Sequence, residues 1–273
     1  MHTEKNSFSL ENKVIIVTGG TGVLGSSFVQ AIAEAGGAVV ILGLHQDKAE
    51  QKAAELKAAG YEALGLAANV LDEADLEKAK AIILERYGKI DGLVNAAGGN
   101  VPESIIQPDQ DIFDMNIEGM KKALVLNVWG TVTPSKVFGA AMKENGGSIV
   151  NISSVSSKTV LTMVMGYSMG KAAIDIYTKW FAVEAARRYG DKIRVNAIAP
   201  GFFLTHQNKD LLTNPDGSPK QRSKNIMHST PYGRFGQPEE LNGAVIYLLS
   251  DASKFVTAAE IAVDGGFTKF SGV

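Results

Sequence analysis

Three side chains in the middle of the sequence could together move a proton on and off an oxygen atom: Ser154, Tyr167 and Lys171. Tyr167 and Lys171 stand at i and i+4, so on a helix they share one face. A free phenol has a pKa of about 10, too high for an efficient acid or base near neutrality. An ammonium on the same face favours the phenolate and is expected to lower that pKa. Ser154, 13 positions before Tyr167, can hydrogen-bond a substrate oxygen while Tyr167 gives or takes its proton. That is carbonyl–alcohol chemistry. Its hydride must come from a bound cofactor, since no side chain donates one. A Tyr-x-x-x-Lys pair alone occurs on many solvated helices, so the reading depends on what positions it.

The flanking segments supply that positioning. Residues 146–153 (GGSIVNIS) read as a buried strand, with Ile149, Val150 and Ile152 as its apolar part. Ser154 then falls at the strand's carboxyl end, where open α/β sheets bind ligands. Residues 166–189 read as one long helix carrying Tyr167 and Lys171. Near the amino terminus, the strand Lys13–Thr18 runs into the turn Gly19-Gly20-Thr21-Gly22-Val23-Leu24-Gly25 and then into a helical pattern through about Ala35. Gly20, Gly22 and Gly25 form G-x-G-x-x-G in a strand–turn–helix context. There a pyrophosphate would sit on N–H groups at the helix start.

Bulk composition narrows the classes. The chain has 273 residues, 45% hydrophobic and 21% charged, which fits one large α/β domain with a good core. A net charge of −2 gives no sign of a nucleic-acid or anionic-membrane partner. With no cysteine, disulfides, thiol catalysis and cysteine-ligated zinc are excluded. The histidines, His2, His45, His206 and His228, lack close metal-ligand spacing, so no metal is expected. No signal-peptide core or spanning apolar run is visible, and the expected location is the cytoplasm.

Further along, Ala38–Leu42 is the second strand, followed by Gly43-Leu44-His45 where a ribose-binding Asp or Glu is expected. The choice between NAD and NADP therefore stays open. Residues 46–59 read as helix and 62–68 as a third strand ending at Asn69 and Val70, near an adenine edge. Asp72 caps the next helix. Lys89–Val94 is a fourth strand ending in Asn95-Ala96-Ala97-Gly98-Gly99-Asn100, whose small residues allow close approach of a cofactor. Residues 101–111 read as loop. A single helix is expected from about Met115 to Lys143, carrying a partly buried Asn127 that needs a partner. Asp191–Ala199 is a strand followed by Pro200-Gly201, residues 202–231 read as an irregular lid, 238–250 as helix, and Glu260–Val263 as the last strand. Alternating strands and helices imply a single doubly wound, Rossmann-type α/β domain over 1–273, with a parallel sheet of about seven strands.

Taken together, the glycine-rich turn after Thr18, Asn95-Ala-Ala-Gly98, Asn127, Ser154, Tyr167-x-x-x-Lys171 and Pro200-Gly201 with Thr205 resemble the short-chain dehydrogenase/reductase family over essentially the whole chain. The resemblance implies a catalytic tetrad of Asn127, Ser154, Tyr167 and Lys171. Asn127 would hold a water in the proton relay. Lys171 would also bind the nicotinamide ribose, and Thr205 would meet the carboxamide. NAD or NADP would lie along Gly19–Leu24, Gly43, Asn69, Val70, Asn95–Gly98, Tyr167, Lys171, Pro200, Gly201, Phe203 and Thr205. Val23 departs from the family's usual T-G-x-x-x-G-x-G, and the spacing T-G-x-x-G-x-x-G is more like its longer members. The carboxyl third, including Gly201-Phe-Phe-Leu-Thr205, Gln207-Asn208, Gly233-Arg-Phe-Gly236 and Val263-Asp-Gly-Gly-Phe267, looks most like the D-mannonate oxidoreductase (fructuronate reductase) branch. Gluconate 5-dehydrogenases share part of it. Family members are commonly tetramers, which implies a homotetramer here.

Substrate contacts are expected from Asn100, Ser154, Gln207, Asn208, Arg222 and His228. From His206 to Arg234 the chain carries Lys209, Lys220, Arg222, Lys224 and Arg234 against Asp210 and Asp216, an excess of three positives in a chain at −2. A cleft bordered by one sign of charge gathers the opposite ion, so a small sugar acid is expected. Two other readings compete. An inactive dinucleotide-binding sensor would show a broken tetrad, and a 3-oxoacyl carrier-protein reductase would need a basic docking patch.

Overall fold

The computed structural model describes residues 6–205 and 209–272. Its seven strands form one parallel sheet in the order β3-β2-β1-β4-β5-β6-β7. They are β1 (Val14–Thr18), β2 (Ala38–Gly43), β3 (Ala63–Ala67), β4 (Gly92–Asn95), β5 (Gly147–Ile152), β6 (Ile193–Pro200) and β7 (Glu260–Val263). The β-branched runs suit strands covered on both faces. In β1, Ile15 and Val17 enter one core with Phe28, Val29, Ile32, Val245 and Leu248. Val14 and Ile16 enter the opposite core with Leu76, Ile83, Val137 and Phe138. The alternation of side chains thus divides one strand between two hydrophobic layers.

Helices α1 (Val23–Glu34), α2 (Gln46–Ala58) and α9 (Asn242–Leu249) cover the first face. The second is covered by α3 (Glu73–Tyr87), α5 (Gly130–Gly139) and α6 (Met165–Tyr189). Asp72 caps α3 as expected, accepting from the N–H groups of Ala74 and Asp75. Strand order reverses between β1 and β4, which pair through Thr18 and Asn95 at their carboxyl ends. A crevice at such a switch point is where ligands bind in this architecture.

Three expectations need correction. The single helix over 115–143 is broken into α4 (Ile117–Leu124), a π-helical turn (Val125–Trp129), α5 and a closing 3₁₀ turn (Ala140–Met142). The π turn contains Asn127, and no local sequence preference announces it. The segment 202–231 is not irregular: it carries α7 (Lys209–Leu212) and α8 (Gln221–Ser229), with Thr213 bridged to Pro219 between them. Residues 101–114 hold two short 3₁₀ turns, Pro102–Ser104 and Ile112–Asp114.

Some of the packing leaves no room for a side chain. A Cβ added at Gly65 on β3 would stand 2.2 Å from the Ala49 carbonyl oxygen of α2. Gly65→Ala is therefore expected to destabilise the fold by about 1–3 kcal/mol through overpacking, read as a lower urea midpoint with an unchanged slope. An unchanged midpoint would show that α2 can move off the sheet freely.

Candidate active site

The carboxyl ends of β1, β4, β5 and β6 border a cleft of about 360 Å³. Ser154 follows β5 and Tyr167 opens α6, and both line the cleft together with Lys171. The Ser154 hydroxyl stands near enough to the Tyr167 phenol to favour its ionised form. Ser154 Oγ also accepts from the Ser156 N–H at 3.1 Å, which fixes its direction. Lys171 is buried, and its Nζ donates to the Ile152 carbonyl at 2.8 Å and lies 5.5 Å from the Tyr167 ring centroid.

Asn127 does not line the cleft but stands directly behind it. Its Nδ2 donates to the Gly99 and Ala123 carbonyls, both at 2.8 Å, and its Oδ1 accepts from the Gly99 N–H at 3.1 Å. This is the partner its buried mid-helix position requires. The clamp holds Gly98 and Gly99, whose φ angles of 152° and 142° suit glycine. A Cβ at Gly98 would lie 2.8 Å from Asn127 Oδ1 and 3.5 Å from Lys171 Nζ, so only glycine lets the loop pass between them.

The expected lowering of the Tyr167 pKa by Lys171 is not found. Burial pushes the phenol up, and the Ser154 hydroxyl opposes it. Burial also lowers the Lys171 pKa to about 8, with Asp175 working the other way. Burial thus works against the charged form of both groups, and Lys171 is not among the influences that lower the phenol's pKa. What the arrangement does offer near neutrality is a protonated phenol beside Ser154 in the lining of the cleft. That is the state that can donate a proton to a carbonyl oxygen.

The other half of the cleft fits a dinucleotide. Gly19 has φ 65°, and a Cβ there would stand 2.9 Å from the Ala97 backbone, so the turn packs directly on the loop after β4. Thr18 Oγ1 accepts from the N–H groups of Ala96 and Ala97, both at 3.2 Å, and binds the same two segments together. Gly22, exposed at the start of α1, makes no side-chain cap, and it lines the cleft with Gly19, Val23, Leu24 and Gly25. An uncapped helix N-terminus facing a cavity suits a pyrophosphate. Ala96, Gly98, Pro200, Gly201, Phe203 and Thr205 line the same space.

Other expected cofactor positions stand off the lining. Gly20 packs beneath the turn against Ile41 and Val29. Gly43 faces Thr21, whose Oγ1 would be 3.0 Å from a Cβ at position 43, so the end of β2 does turn toward the glycine loop. Asn69 is exposed and folds back on the Leu71 N–H. Val70 is buried beside Gly130. Asn95 is wholly buried, donating to Asn151 Oδ1 at 2.8 Å and Ser135 Oγ at 2.9 Å, which makes it a brace beneath the loop.

At the substrate end, Asn100 and Arg222 line the cleft. His228 is exposed at the end of α8 and does not. Gln207 and Asn208 lie outside the described residues. The sequence reasoning missed the apolar wall of Leu161, Val164, Leu211 and Leu212, since nothing local marks those leucines as cleft-facing. It also missed Asp175, although Asp175 continues the i, i+4 spacing of Tyr167 and Lys171. The described residues contain no cluster of three metal-ligating side chains, and no helix among them is long and apolar enough to cross a membrane.

A Rossmann-type sheet whose switch-point crevice joins a glycine-rich turn to a Ser–Tyr–Lys group defines a nicotinamide-dependent oxidoreductase. The chain belongs to the short-chain dehydrogenase/reductase family: residues 22–268 match the family model described as enoyl-(acyl carrier protein) reductase. It is 42% identical to the uncharacterized oxidoreductase UxuB of Bacillus subtilis (strain 168), over 97% of this chain and 98% of that one. A crystal structure of a Haemophilus influenzae protein provisionally named a D-mannonate oxidoreductase, with bound NAD, superposes with a TM-score of 0.87. The two are 38% identical, over 97% of this chain and 98% of the other. A gluconate 5-dehydrogenase from Burkholderia cenocepacia J2315, in complex with NADP and tartrate, gives a TM-score of 0.84 at 31% identity, over 96% and 97% of the two chains. The cofactor is NAD or NADP, which supplies or accepts the hydride when bound.

Replacing Tyr167 by Phe removes the acid without emptying its place. A fall in kcat of about 10²–10⁴-fold is expected, with the dissociation constant for NADH or NADPH little changed. Wild-type turnover in that variant would remove Tyr167 from the chemistry. Gly43→Asp puts a carboxylate beside Thr21 at the glycine loop and should move the ratio of the kcat/KM values toward NAD by repelling a 2′-phosphate. An unmoved ratio would show that the end of β2 does not border the ribose.

Proposed function

We propose that the protein reduces a ketone, or oxidises the matching secondary alcohol, on a small sugar acid of the hexuronate or aldonate class, with D-fructuronate and D-mannonate as the leading pair. In this reading Tyr167 exchanges the proton, Ser154 holds the substrate oxygen, and Lys171 holds the nicotinamide ribose. Asn127 keeps the loop after β4 in place and holds a relay water. All four tetrad residue types are present, and Ser154, Tyr167 and Lys171 share the cleft, which argues against an inactive sensor.

The observation that carries the substrate class is Arg222. It lines the cleft from α8, is half-buried, and hydrogen-bonds Thr162 Oγ1 at 2.9 Å and the Thr162 carbonyl at 3.1 Å. Burial lowers its pKa, and among the described residues no carboxylate pairs with it. A planar guanidinium so held, with donors to spare, suits a carboxylate. The wider positive excess of the segment contributes less than its sequence suggested. Arg234 is pinned to Glu240 by two contacts of 2.6 and 2.7 Å outside the cleft. The names of the Haemophilus and Burkholderia structures support the same class.

The apolar wall of Leu161, Val164, Leu211 and Leu212 favours a second reading, reduction of an acyl thioester. Nicotinamide oxidation measured against keto sugar acids, their neutral sugars and 3-oxoacyl thioesters separates the two. Arg222→Met should raise KM for the acids far more than for neutral analogues, and added salt should lower kcat/KM. Equal turnover of neutral sugars and acids would end the anionic-substrate reading and leave the reductase intact.

We also infer a homotetramer. Met165, Met169, Ile176, Trp180 and Val183 form an exposed apolar stripe along α6, beside exposed Ile117, Val125 and Trp129 on the neighbouring helical segment. Apolar faces of that extent are normally covered. Light scattering should therefore give four times the mass of one chain, and Trp180→Glu should lower it; a monomeric wild-type protein would overturn this.

A further inference from the structure

Asp175 stands one turn beyond Lys171 on α6, so Tyr167, Lys171 and Asp175 follow one another at i, i+4 and i+8. It is buried, and the carbonyl reaction makes no direct use of it. Its carboxylate accepts a hydrogen bond from Ser153 Oγ and pairs with Lys158 Nζ at 2.8 Å. Lys158 reaches on to Glu260 at the start of β7, at 2.9 Å. Ser153 and Lys158 lie on either side of Ser154 in the chain. One carboxylate, on the helix that carries Tyr167 and Lys171, thus holds the Ser154 segment from both directions.

We propose that Asp175 is a positioning residue that fixes Ser154 against Tyr167 and sustains the charged form of Lys171, with Lys158 and Glu260 setting how much of its charge Lys171 feels. The proposal rests on the roles given above to Ser154, Tyr167 and Lys171. The groups facing Lys171 can be named. Tyr167 and Asp175 come from its own helix, and Lys158 and Glu260, from the segment after β5 and from β7, join the group through Asp175. Neutral Asn127 and the Gly98 backbone close the other side.

A buried ammonium with only a carbonyl and neutral amides around it would shed its proton. Asp175 is the opposite charge that counters this loss, acting against the burial that pulls Lys171 down to about 8. Lys158 competes for the same carboxylate. Burial works against the Lys158 charge, but Asp175 and Glu260 outweigh it and raise its pKa. Burial also raises Glu260, and Lys158 opposes that rise. The four groups balance as two cations and two anions when all are ionised. Removing an anion or a cation should therefore push Lys171 in opposite directions.

The test compares Asp175→Asn with Lys158→Gln in the full-length protein. Asn keeps the acceptor for Ser153 but loses the charge. Two pH profiles are read for each protein: kcat for carbonyl reduction, and calorimetric affinity for NADH or NADPH. In Asp175→Asn, the pH above which both fall should move down by about one unit. In Lys158→Gln it should move up, because Asp175 is left to Lys171 and a neighbouring positive charge is gone. Shifts in the same direction, or a lower melting temperature with both profiles unmoved, would overturn the proposal by showing that the cluster only supports the fold. If Asp175→Asn fails to fold, Lys158→Gln decides alone: an upward shift supports the proposal, and none or a downward one overturns it. The calorimetric arm needs no substrate, so failure of the sugar-acid reading leaves the test intact.

Discussion

The site depends on one hydrogen bond that crosses from helix to sheet, from Lys171 Nζ to the carbonyl of Ile152. Ile152 ends β5, and Lys171 lies one turn inside α6 from Tyr167. The bond fixes the helix that bears the phenol against the strand end that bears the serine. Burying an ammonium is costly, and the fall of its pKa to about 8 is the sign of that cost. A lysine held this way lines the cleft between the Tyr167 ring and the Gly98 backbone. A lysine free in solvent would be more stable and would position nothing.

Around that bond the chain departs from regular structure where the departure brings groups together. A continuous α-helix through 115–143 would set Asn127 one residue out of phase with whatever follows it. The π turn absorbs the extra residue and lets the amide bond both the N–H and the carbonyl of Gly99, with a third bond to the Ala123 carbonyl. From Asn127 the polar contacts continue inward. Thr131 donates to the Asn127 carbonyl, Ser135 to that of Thr131, and Asn95 to Ser135 and Asn151. Asn151 then donates to Thr178 on α6. This chain of hydrogen bonds, which leaves the Asn95 Oδ1 without a partner, runs through a hydrophobic layer and ties the π turn, β4, β5 and α6 into one register.

How much of this was legible in the sequence follows from how local each signal is. The β1–turn–α1 unit, the end of β5 and the Tyr167–Lys171 spacing each rest on a few adjacent residues whose types admit few conformations, and all were readable. Asn127 was readable as a buried amide in need of a partner, but not the π turn that supplies one. That turn is imposed by the loop after β4, about thirty residues away. The helices α7 and α8 were hidden by the prolines and glycine around them, since Pro215, Gly217 and Pro219 sit in the turn between the two and made the whole stretch read as loop. The Tyr167 pKa was misread for a different reason. The sequence shows a cation one turn away, but not that both groups are buried, which works against charge on each.

The same distinction governs how the cleft can choose a substrate. Counted along the sequence, the segment from 206 to 234 looks like a field of positive charge. In space, Arg234 is neutralised by Glu240, and Lys224 is exposed to solvent, where a single charge is screened within about 8–10 Å. Arg222 differs because its guanidinium is half-buried and its orientation is set by Thr162, in the segment between Ser154 and Tyr167. An ion pair formed there acts through a lower dielectric than one on the rim. Its geometry is tied, through Thr162, to the segment that joins Ser154 to Tyr167. Selection by one oriented cation against a wall of leucines is sharper than selection by a diffuse positive surface. On the anionic-substrate reading proposed above, a ligand lacking the anion would leave Arg222 with donors unpaired, and one whose carbonyl is out of reach of Tyr167 when its anion is held would gain no rate from that binding.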